Sequence, residues 1–268
     1  MSHTQVPERR RPGAGQVIGE LLLTAGVIIL LFVIYEAFWT NIVSGRLQDE
    51  VNNSLEKSWG ETPMAAGDEP VPPLIPALGE GFARVHFPTL GAAYAVVEGT
   101  RNEDLRAGPG HYPDTQMPGE AGNFALAGHR NGSGAVFQHL GELGACDAVV
   151  VETQSQWFTY RLLPLDTDSP DRRAAAGACL SSEQADRVSG GDYAHVLGRD
   201  ITVPGDIEVV NPLPGTPWVE PDPGLESMLT LTTCHPLFSN TERMIVHAVL
   251  VETIPKSSGN SPAALQEQ

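Results

Sequence analysis

The segment from Leu229 to Val251 restricts the possible folds most, because it contains two short apolar runs separated by a polar stretch. This pattern predicts two β-strands joined by a loop of about eight residues. Side chains alternate between the two faces of a strand, so Thr230, Thr232 and Cys234 are expected to share one face. Cys234 then lies at a strand end beside the loop, and Arg243 lies where the returning strand begins.

A thiol beside a fixed positive charge is suited to act as a nucleophile, but it needs a base or proton donor. Among the eight histidines, His129 is the best candidate, since it follows a strand-like run with small residues and precedes a glycine-rich loop. Its ring would emerge at a strand end with little steric cover. His235 is adjacent to Cys234 in sequence and would point to the opposite face. His247 lies inside the last apolar run and is predicted to be a core residue.

From about residue 81, short strand-like runs are separated by glycine and proline. This pattern predicts a mainly β fold, a barrel or sandwich of about eight strands with short helices. The strand-like runs are ARVHFPTL, YAVVEGT, NFALAGH, DAVVVET, WFTYRLL, DITVP, DIEVVNP, MLTLTTC and MIVHAVLV. Short helical turns are expected at 102–106 and 135–143. The polar stretch 166–199 lacks strand alternation and is interpreted as an inserted loop with one short helix.

The N-terminal region predicts one transmembrane helix over Val17 to Trp39, preceded by a cytoplasmic tail at 1–16. This almost wholly apolar run would span about 34 Å as a helix, enough for a bilayer core. A cluster of arginines at 9–11 places the N-terminus in the cytoplasm. A cleavable signal peptide is the alternative, but no small-residue cleavage site follows the run, which favours an uncleaved anchor.

The remaining domain boundaries follow from composition. Residues 40–80 are predicted to form a stalk and linker, in which an amphipathic helix over 40–59 packs on its own domain and a proline-rich spacer follows. Residues 81–254 form the predicted catalytic domain, with an insertion at about 166–199. The polar tail at 255–268 is expected to be disordered.

Charge and cysteine content exclude several classes of protein. Thirty-three acidic residues against sixteen basic ones give a net charge of −17, which argues against binding nucleic acid by phosphate neutralisation. Of the three cysteines, Cys146 and Cys179 are candidates for a disulfide in an extracellular domain, or both are unpaired. A metal site from Cys234, His235 and His129 lacks a second cysteine or a paired histidine motif, so no metal is expected. No phosphate-binding loop or dinucleotide fingerprint occurs, and no cofactor is expected.

Several motifs resemble those of the sortases, the cysteine transpeptidases of Gram-positive cell surfaces. TLTTC, ending at Cys234, is similar to the TLxTC signature, and His129 in AGHR and Arg243 in ERMIV match the family's catalytic histidine and arginine. The stretch RAGPGHYPDTQMPGEAGNFALAGHR and the TCHP sequence resemble the class E sortases of actinobacteria. The resemblance covers about 81–254, apart from 166–199.

The resemblance implies an eight-stranded sortase-like β-barrel and a transpeptidase mechanism. Cys234 would attack the Thr–Gly carbonyl of a C-terminal LAxTG or LPxTG-like sorting motif on a secreted protein. His129 would act as general acid and then base, and Arg243 would hold the substrate or stabilise the oxyanion. The acceptor would be a peptidoglycan precursor amine or a pilin lysine. The enzyme would be a single-pass protein of the cell membrane with an extracellular catalytic domain.

Two alternatives remain open at this point. A papain-like protease needs the same residue types, but its cysteine precedes its histidine, the reverse of the order here. An extracellular binding module that kept the sortase-like barrel without activity is favoured if residues 166–199 fold over the cleft, tied by a Cys146–Cys179 disulfide. The loop from Pro204 to Ser227 corresponds to the substrate-shaping loop of the family.

Overall fold

A computed structural model of the chain describes residues 13–35, 40–61, 75–132, 134–166, 171–256 and 260–267. The strands are β1 Gly81–Phe87, β2 Ala92–Glu98, β3 Gly110–His111, β4 Gly122–Ala127, β5 Ala148–Glu152, β6 Gln156–Leu162, β7 Arg199–Thr202, β8 Ser227–His235 and β9 Glu242–Pro255. The α-helices are α1 Ala14–Ile34, α2 Thr40–Glu61, α3 Asn102–Ala107, α4 Arg172–Gly177 and α5 Ser182–Gly190.

Eight of the strands close into a barrel, as predicted. Their order is β6-β5-β1-β2-β3-β4-β8-β9, and β9 returns to pair with β6. The pairs β2–β3 and β4–β8 are parallel, whereas the other pairs are antiparallel. Strand β7 extends the sheet beyond the barrel by pairing with the first half of β9. The two-residue strand β3 was not predicted, because it is too short to show any alternation.

The barrel interior is filled by aromatic and branched side chains, which fixes the two faces of β8. Leu229 and Leu231 belong to this core, together with Phe82, Phe87, Phe124, Phe137 and Tyr160. Thr233 shares their inward face and its hydroxyl donates to the Gly128 carbonyl at 2.7 Å. Thr230, Thr232 and Cys234 consequently face outward, as the alternation predicts.

The described part of the stretch 166–199 forms two helices, α4 and α5, where one was predicted. Their apolar faces pack outside the barrel around Met228 and Val249, in a second cluster with Ala176, Leu180, Ala185, Val188 and Tyr193. The buried guanidinium of Arg172 donates to the carbonyls of Asp166, Val188 and Val196. A disulfide between Cys146 and Cys179 joins this segment to the barrel.

The described part of this segment does not fold over the cleft, which was the condition that would have favoured a binding module without activity. It covers the Met228 end of β8, which at 3.3 Å per residue is about 20 Å from Cys234. The physical reason is its apolar face, which is buried only where it meets apolar side chains of β8 and β9. The polar outward face near Cys234 offers no such partner.

The run DIEVVNP, predicted to be a strand, is a loop that contains a 3-10 helix at Glu208–Val210. Its alternation arises because Val209 is buried against the barrel while Ile207 remains exposed. The Asn123 amide donates to the carbonyls of Val209 at 3.4 Å and Asn211 at 3.0 Å. A side chain of β4 therefore satisfies backbone groups that a neighbouring strand would otherwise pair.

The predicted disordered tail is ordered over 260–267. A 3-10 helix at Ala263–Gln266 buries Ala264 against Ala148, Val150 and Trp157. The Arg161 guanidinium pairs with Glu267 at 2.6 Å, which fixes the end of this segment. Apolar contact and an ion pair thus outweigh the polar composition of the tail.

The shorter helical predictions correspond to elements of the structure. Helix α3 covers the turn expected at 102–106, and the segment 135–143 ends in a 3-10 helix at Leu140–Glu142. The helix expected over 40–59 is α2, which packs on β1, β2 and α3 and buries Leu55. Helix α1 is long and apolar enough to cross a membrane. Residues 1–12 of the tail predicted at 1–16, residues 36–39 of the predicted span and most of the proline-rich spacer lie outside the described residues.

Candidate active site

Three strand ends converge at one end of the barrel and bring together the residues singled out in the sequence. Strand β4 runs parallel to β8 up to the Ala127–Thr232 pair, so His129 and Cys234 each lie two residues further on, at the same level. The Gly128 amide donates to the Thr232 carbonyl at 3.0 Å and extends this pairing. His129 is therefore held beside Cys234 by the sheet.

His129 and Cys234 line the same cleft, which has a volume of about 470 Å³. The other lining residues are Arg130, Asn131, Phe238, Ser239 and Asn240. Cys234 is a free, partly exposed thiol, and it is the only free cysteine because the other two form the disulfide. Phe238, in the loop between β8 and β9, is 86% exposed. The thiol is thus open to a ligand that enters the cleft.

Arg243 lies directly opposite Cys234 in the β8–β9 ladder, on the same outward face. Its Nη1 donates to the carbonyls of Asn240 at 3.1 Å and Glu242 at 2.9 Å. Arg243 therefore places a positive charge beside the thiol strand and also holds the loop that forms one wall of the cleft. Of the three residues predicted from the sequence, Cys234 and His129 line the cleft, whereas Arg243 is adjacent to Cys234 only through the strand pairing and does not line it.

The surroundings of His129 favour its neutral form. Burial lowers the pKa of His129, and the positive charge of Arg106 on α3 lowers this pKa further. A neutral imidazole can accept a proton from the thiol. The ring is half-buried, so it remains accessible from the cleft.

Arg130 is a further site residue that the sequence reasoning missed. Its Nη1 donates to the Cys234 carbonyl at 3.3 Å and to His235 Nδ1 at 2.6 Å. Because His235 Nδ1 accepts this bond, its Nε2 carries the proton and faces Glu242 at 4.0 Å. Arg130 therefore fixes the backbone at the thiol. Its position immediately after His129 in AGHR was the only available signal.

The outward face of β8 continues from Cys234 as a polar strip. The Tyr112 hydroxyl is hydrogen-bonded to the Thr232 hydroxyl at 2.9 Å. The loop that bears Tyr112 is fixed by the buried His111, whose Nδ1 donates to Glu98 at 2.7 Å. This loop forms a wall of the strip on the side of β4.

His247 is buried, as predicted, but on the outward face opposite Thr230 rather than inside the barrel. Its Nδ1 donates to the Leu197 carbonyl at 2.8 Å. Burial lowers the pKa of His247. His247 is separated from Cys234 by the length of the strip and does not line the cleft.

Within the described ranges, no three histidine, cysteine, aspartate or glutamate side chains are grouped to hold a metal ion. His235 points away from the thiol towards Arg130, which accounts for its failure to join Cys234 and His129 as a ligand. The cleft itself presents the Cys234 thiol, the His129 imidazole and the Arg130 guanidinium.

A closed β-barrel with a free cysteine and a histidine level with it at adjacent strand ends has the geometry of a cysteine-dependent acyl-transfer enzyme. The sortase domain model matches residues 85–251. The chain therefore belongs to the sortase family.

Comparisons with individual proteins agree. Sortase SrtE1 of Streptomyces coelicolor is 33% identical over 266 residues, which are 95% of this chain and 63% of SrtE1. The chain thus matches less than two thirds of that relative's length. The SrtF sortase from Corynebacterium diphtheriae superposes with a TM-score of 0.72 and 54% identity, over 75% of this chain and 100% of that one.

The resemblance to class E also extends to a solved structure. Sortase E1 from Streptomyces coelicolor, crystallised with a tripeptide in its active site, gives a TM-score of 0.51 and 31% identity. The match covers 71% of this chain and 99% of that one. The higher similarity to SrtF shows that the likeness is not confined to class E.

Proposed function

We propose that the chain is a membrane-anchored cysteine transpeptidase that acts on secreted proteins with a C-terminal sorting motif. It would cleave an LAxTG or LPxTG-like motif between Thr and Gly and join the protein to a cell-wall amine. The observation that supports this most is the free thiol of Cys234 in the same cleft as His129.

The proposed mechanism assigns one role to each of the three residues. Neutral His129 takes the proton of the Cys234 thiol, and the resulting thiolate attacks the Thr carbonyl. The protonated His129 then gives this proton to the departing Gly amine as the C–N bond breaks. Arg243, on the face of Cys234, stabilises the oxyanion or holds the substrate. The resulting thioester is attacked by an acceptor amine, whose proton passes to His129, and the thiolate leaves.

The sorting peptide is proposed to lie along the polar strip of β8 between the Tyr112 loop and the loop that follows β7. This strip leads to Cys234, but Thr230 and Thr232 are buried, so a peptide would reach them by displacing the covering side chains. Sortase E1, to which the chain is similar, holds a tripeptide in its active site. The Tyr112–Thr232 bond would be exchanged or extended when a peptide binds.

Helix α1 is proposed to be an uncleaved anchor with a cytoplasmic N-terminus, which leaves the barrel outside the cell. Its length and apolar composition support the span, and Arg9, Arg10 and Arg11 support the orientation. Intact-mass analysis of the mature protein from cell membranes tests this. A protein that begins at Met1 is expected, and one that begins after residue 40 contradicts the anchor.

Peptide turnover tests the activity. The full-length protein in detergent micelles is mixed with a fluorogenic LAxTG peptide and an amine, and it is compared with Cys234→Ala. We expect turnover by the wild type alone, with mass spectrometry showing Thr joined to the amine. No turnover together with no alkylation of Cys234 would instead favour the binding module without activity.

The acceptor is tested in the same assay. A peptidoglycan-precursor amine and a pilin peptide with a reactive lysine are offered in competition. Preferred transfer to the first supports cell-wall anchoring, and preferred transfer to the second supports the alternative of a pilin-polymerising sortase.

A further inference from the structure

We infer that α2, the helix that follows the proposed anchor, is a positioning element of the active site because it supports both flanks of His129. This inference rests on the proposed role of His129 in catalysis. None of the α2 residues lines the cleft, so the helix acts through the segments that it contacts.

The first contact is between α2 and the loop that carries His129. Ser44 is only 2% exposed, although its neighbours Val43 and Gly45 are exposed. A Cβ atom placed on Gly134 would lie 3.1 Å from the Ser44 Cβ. Gly134 belongs to the loop that follows His129, so the start of α2 lies in close packing against the end of this loop.

The second contact is between α2 and α3. One helical turn after Ser44, the Gln48 side chain covers Gly108, where a Cβ atom would lie 2.1 Å from Gln48 Nε2. Gly108 directly follows α3, which carries Arg106. The charge of Arg106 is one of the causes that lower the pKa of His129. The same face of α2 therefore supports the charged neighbour of His129 and the loop that bears it.

The second half of α2 is fixed to the barrel, so the position of its first half is determined. Leu55 is 1% exposed, and the Arg84 Nε and Nη2 groups on β1 donate to Asn52 Oδ1 at 3.3 Å each. The Lys256 ammonium lies 3.9 Å from the centre of the Trp59 ring. Because the helix is continuous, these contacts in its second half also fix where Ser44 and Gln48 lie.

This arrangement connects the proposed anchor to the catalytic histidine. Residues 35 to 40 can span at most about 18 Å of extended chain. The segment of α2 that supports the His129 loop therefore lies within a short tether of the end of α1. A chain that lacked α2 would retain the thiol and the imidazole but lose the contacts at Gly134 and Gly108.

The test uses the full-length protein in detergent micelles and substitutes Ser44→Phe, which overpacks the contact with Gly134. The matched control is Ser54→Phe on the exposed face of the same helix, and Ser44→Ala is the conservative variant. We expect Ser44→Phe to lower kcat about tenfold with little change in KM, because small displacements of catalytic groups have large kinetic effects. Both other variants should stay within about twofold of the wild type.

Alkylation of Cys234 provides a second readout that needs no turnover. Its pH profile depends on His129 beside the thiol, so we expect Ser44→Phe to change this profile and Ser54→Phe to leave it unchanged. A lower melting temperature with wild-type kcat and a wild-type alkylation profile would mean a merely structural role and would overturn the inference.

The remaining outcomes also separate the two proposals. If Ser44→Phe does not fold, Gln48→Ala is measured against the exposed control Asn53→Ala. A loss of kcat in Gln48→Ala but not in Asn53→Ala supports the inference, although the loss should be smaller than that expected for Ser44→Phe. Equal activity of the two variants overturns it. If the wild type does not turn over peptide, the proposed function fails, while the alkylation profile still decides the role of α2.

Discussion

The two ends of strand β8 are built differently. At one end Met228 is fully buried beneath α4 and α5, and a disulfide joins that cover to the barrel. At the other end Cys234 is partly exposed in a cleft, next to a loop whose Phe238 points into solvent. The covered end relies on apolar burial and a covalent link, and the open end relies on hydrogen bonds to backbone carbonyls.

This difference separates stability from reactivity along one strand. Hydrogen bonds from Thr233, Arg130 and Arg243 fix the backbone around Cys234 without covering the thiol. Apolar packing there would close the cleft. Substitutions at the open end should therefore change activity more than stability, and substitutions at the covered end should do the reverse.

The largest effect on activity after loss of the thiol is expected for His129→Gln. Removing a general acid and base typically costs 10²- to 10⁴-fold in rate, so we expect kcat/KM for the sorting peptide to fall by about this factor. The half-exposed ring contributes little packing, and the melting temperature should change little. A large loss of stability with retained activity would contradict the separation.

The largest effect on stability is expected when the disulfide is removed by the double substitution Cys146→Ser and Cys179→Ser. The cross-link joins residues 33 apart, and loop-closure entropy then corresponds to about 3–4 kcal/mol of unfolding free energy. Denaturant unfolding measures this loss.

Peptide turnover by the same double variant at 25 °C should equal that of the wild type, because the cover lies away from the cleft. A matched Cys234→Ser variant should show the opposite result, with unfolding unchanged and turnover lost. If removal of the disulfide lowered turnover as much as Cys234→Ser does, the two ends of β8 would be coupled.

An intermediate effect is expected for Arg130→Ala. The variant loses the charged hydrogen bonds to the Cys234 carbonyl and to His235, each of a kind worth about 1.5–3 kcal/mol. We expect kcat/KM to fall by about tenfold or more. Arg130→Lys keeps the charge without the planar fork and should recover only part of the activity. Wild-type kinetics in Arg130→Ala would show that Arg130 has no role in activity.

The smallest effect is expected for Arg106→Gln, which alters the pH dependence rather than the rate. Because the positive charge of Arg106 lowers the pKa of His129, its removal should raise that pKa. The limb of the kcat/KM profile that depends on His129 should then move to higher pH. Burial, the larger cause of the lowered pKa, remains, so the shift is partial. A shift to lower pH would contradict this electrostatic account.

The sequence predicted the barrel because strands leave a local alternating pattern, and the three proposed site residues were chosen on equally local grounds. Short alternating runs mark strands, and Cys234, His129 and Arg243 occur at the ends of such runs within family motifs. The register then follows from strand pairing, which places His129 level with Cys234. Choosing these residues did not require knowledge of contacts between segments that are far apart in the sequence.

The features that were missed depend on contacts between distant segments. Arg130 acts through a carbonyl 104 residues away, and Asn123 binds the loop at Val209, which was predicted to be a strand. Helices α4 and α5 form because their apolar side chains pack against Met228 and Val249, whereas the polar composition of the segment predicted a loop with one short helix. The ordered tail likewise depends on the pocket that receives Ala264.

The most direct test of the proposed transpeptidase is to trap its covalent intermediate. The wild-type protein is mixed with an LAxTG peptide in the absence of an amine, quenched in acid and analysed by peptide mapping with mass spectrometry. The account predicts that Cys234 carries the peptide fragment ending in Thr as a thioester, and that added amine releases it. An adduct on another residue, or peptide cleavage that persists in Cys234→Ala, would contradict the account.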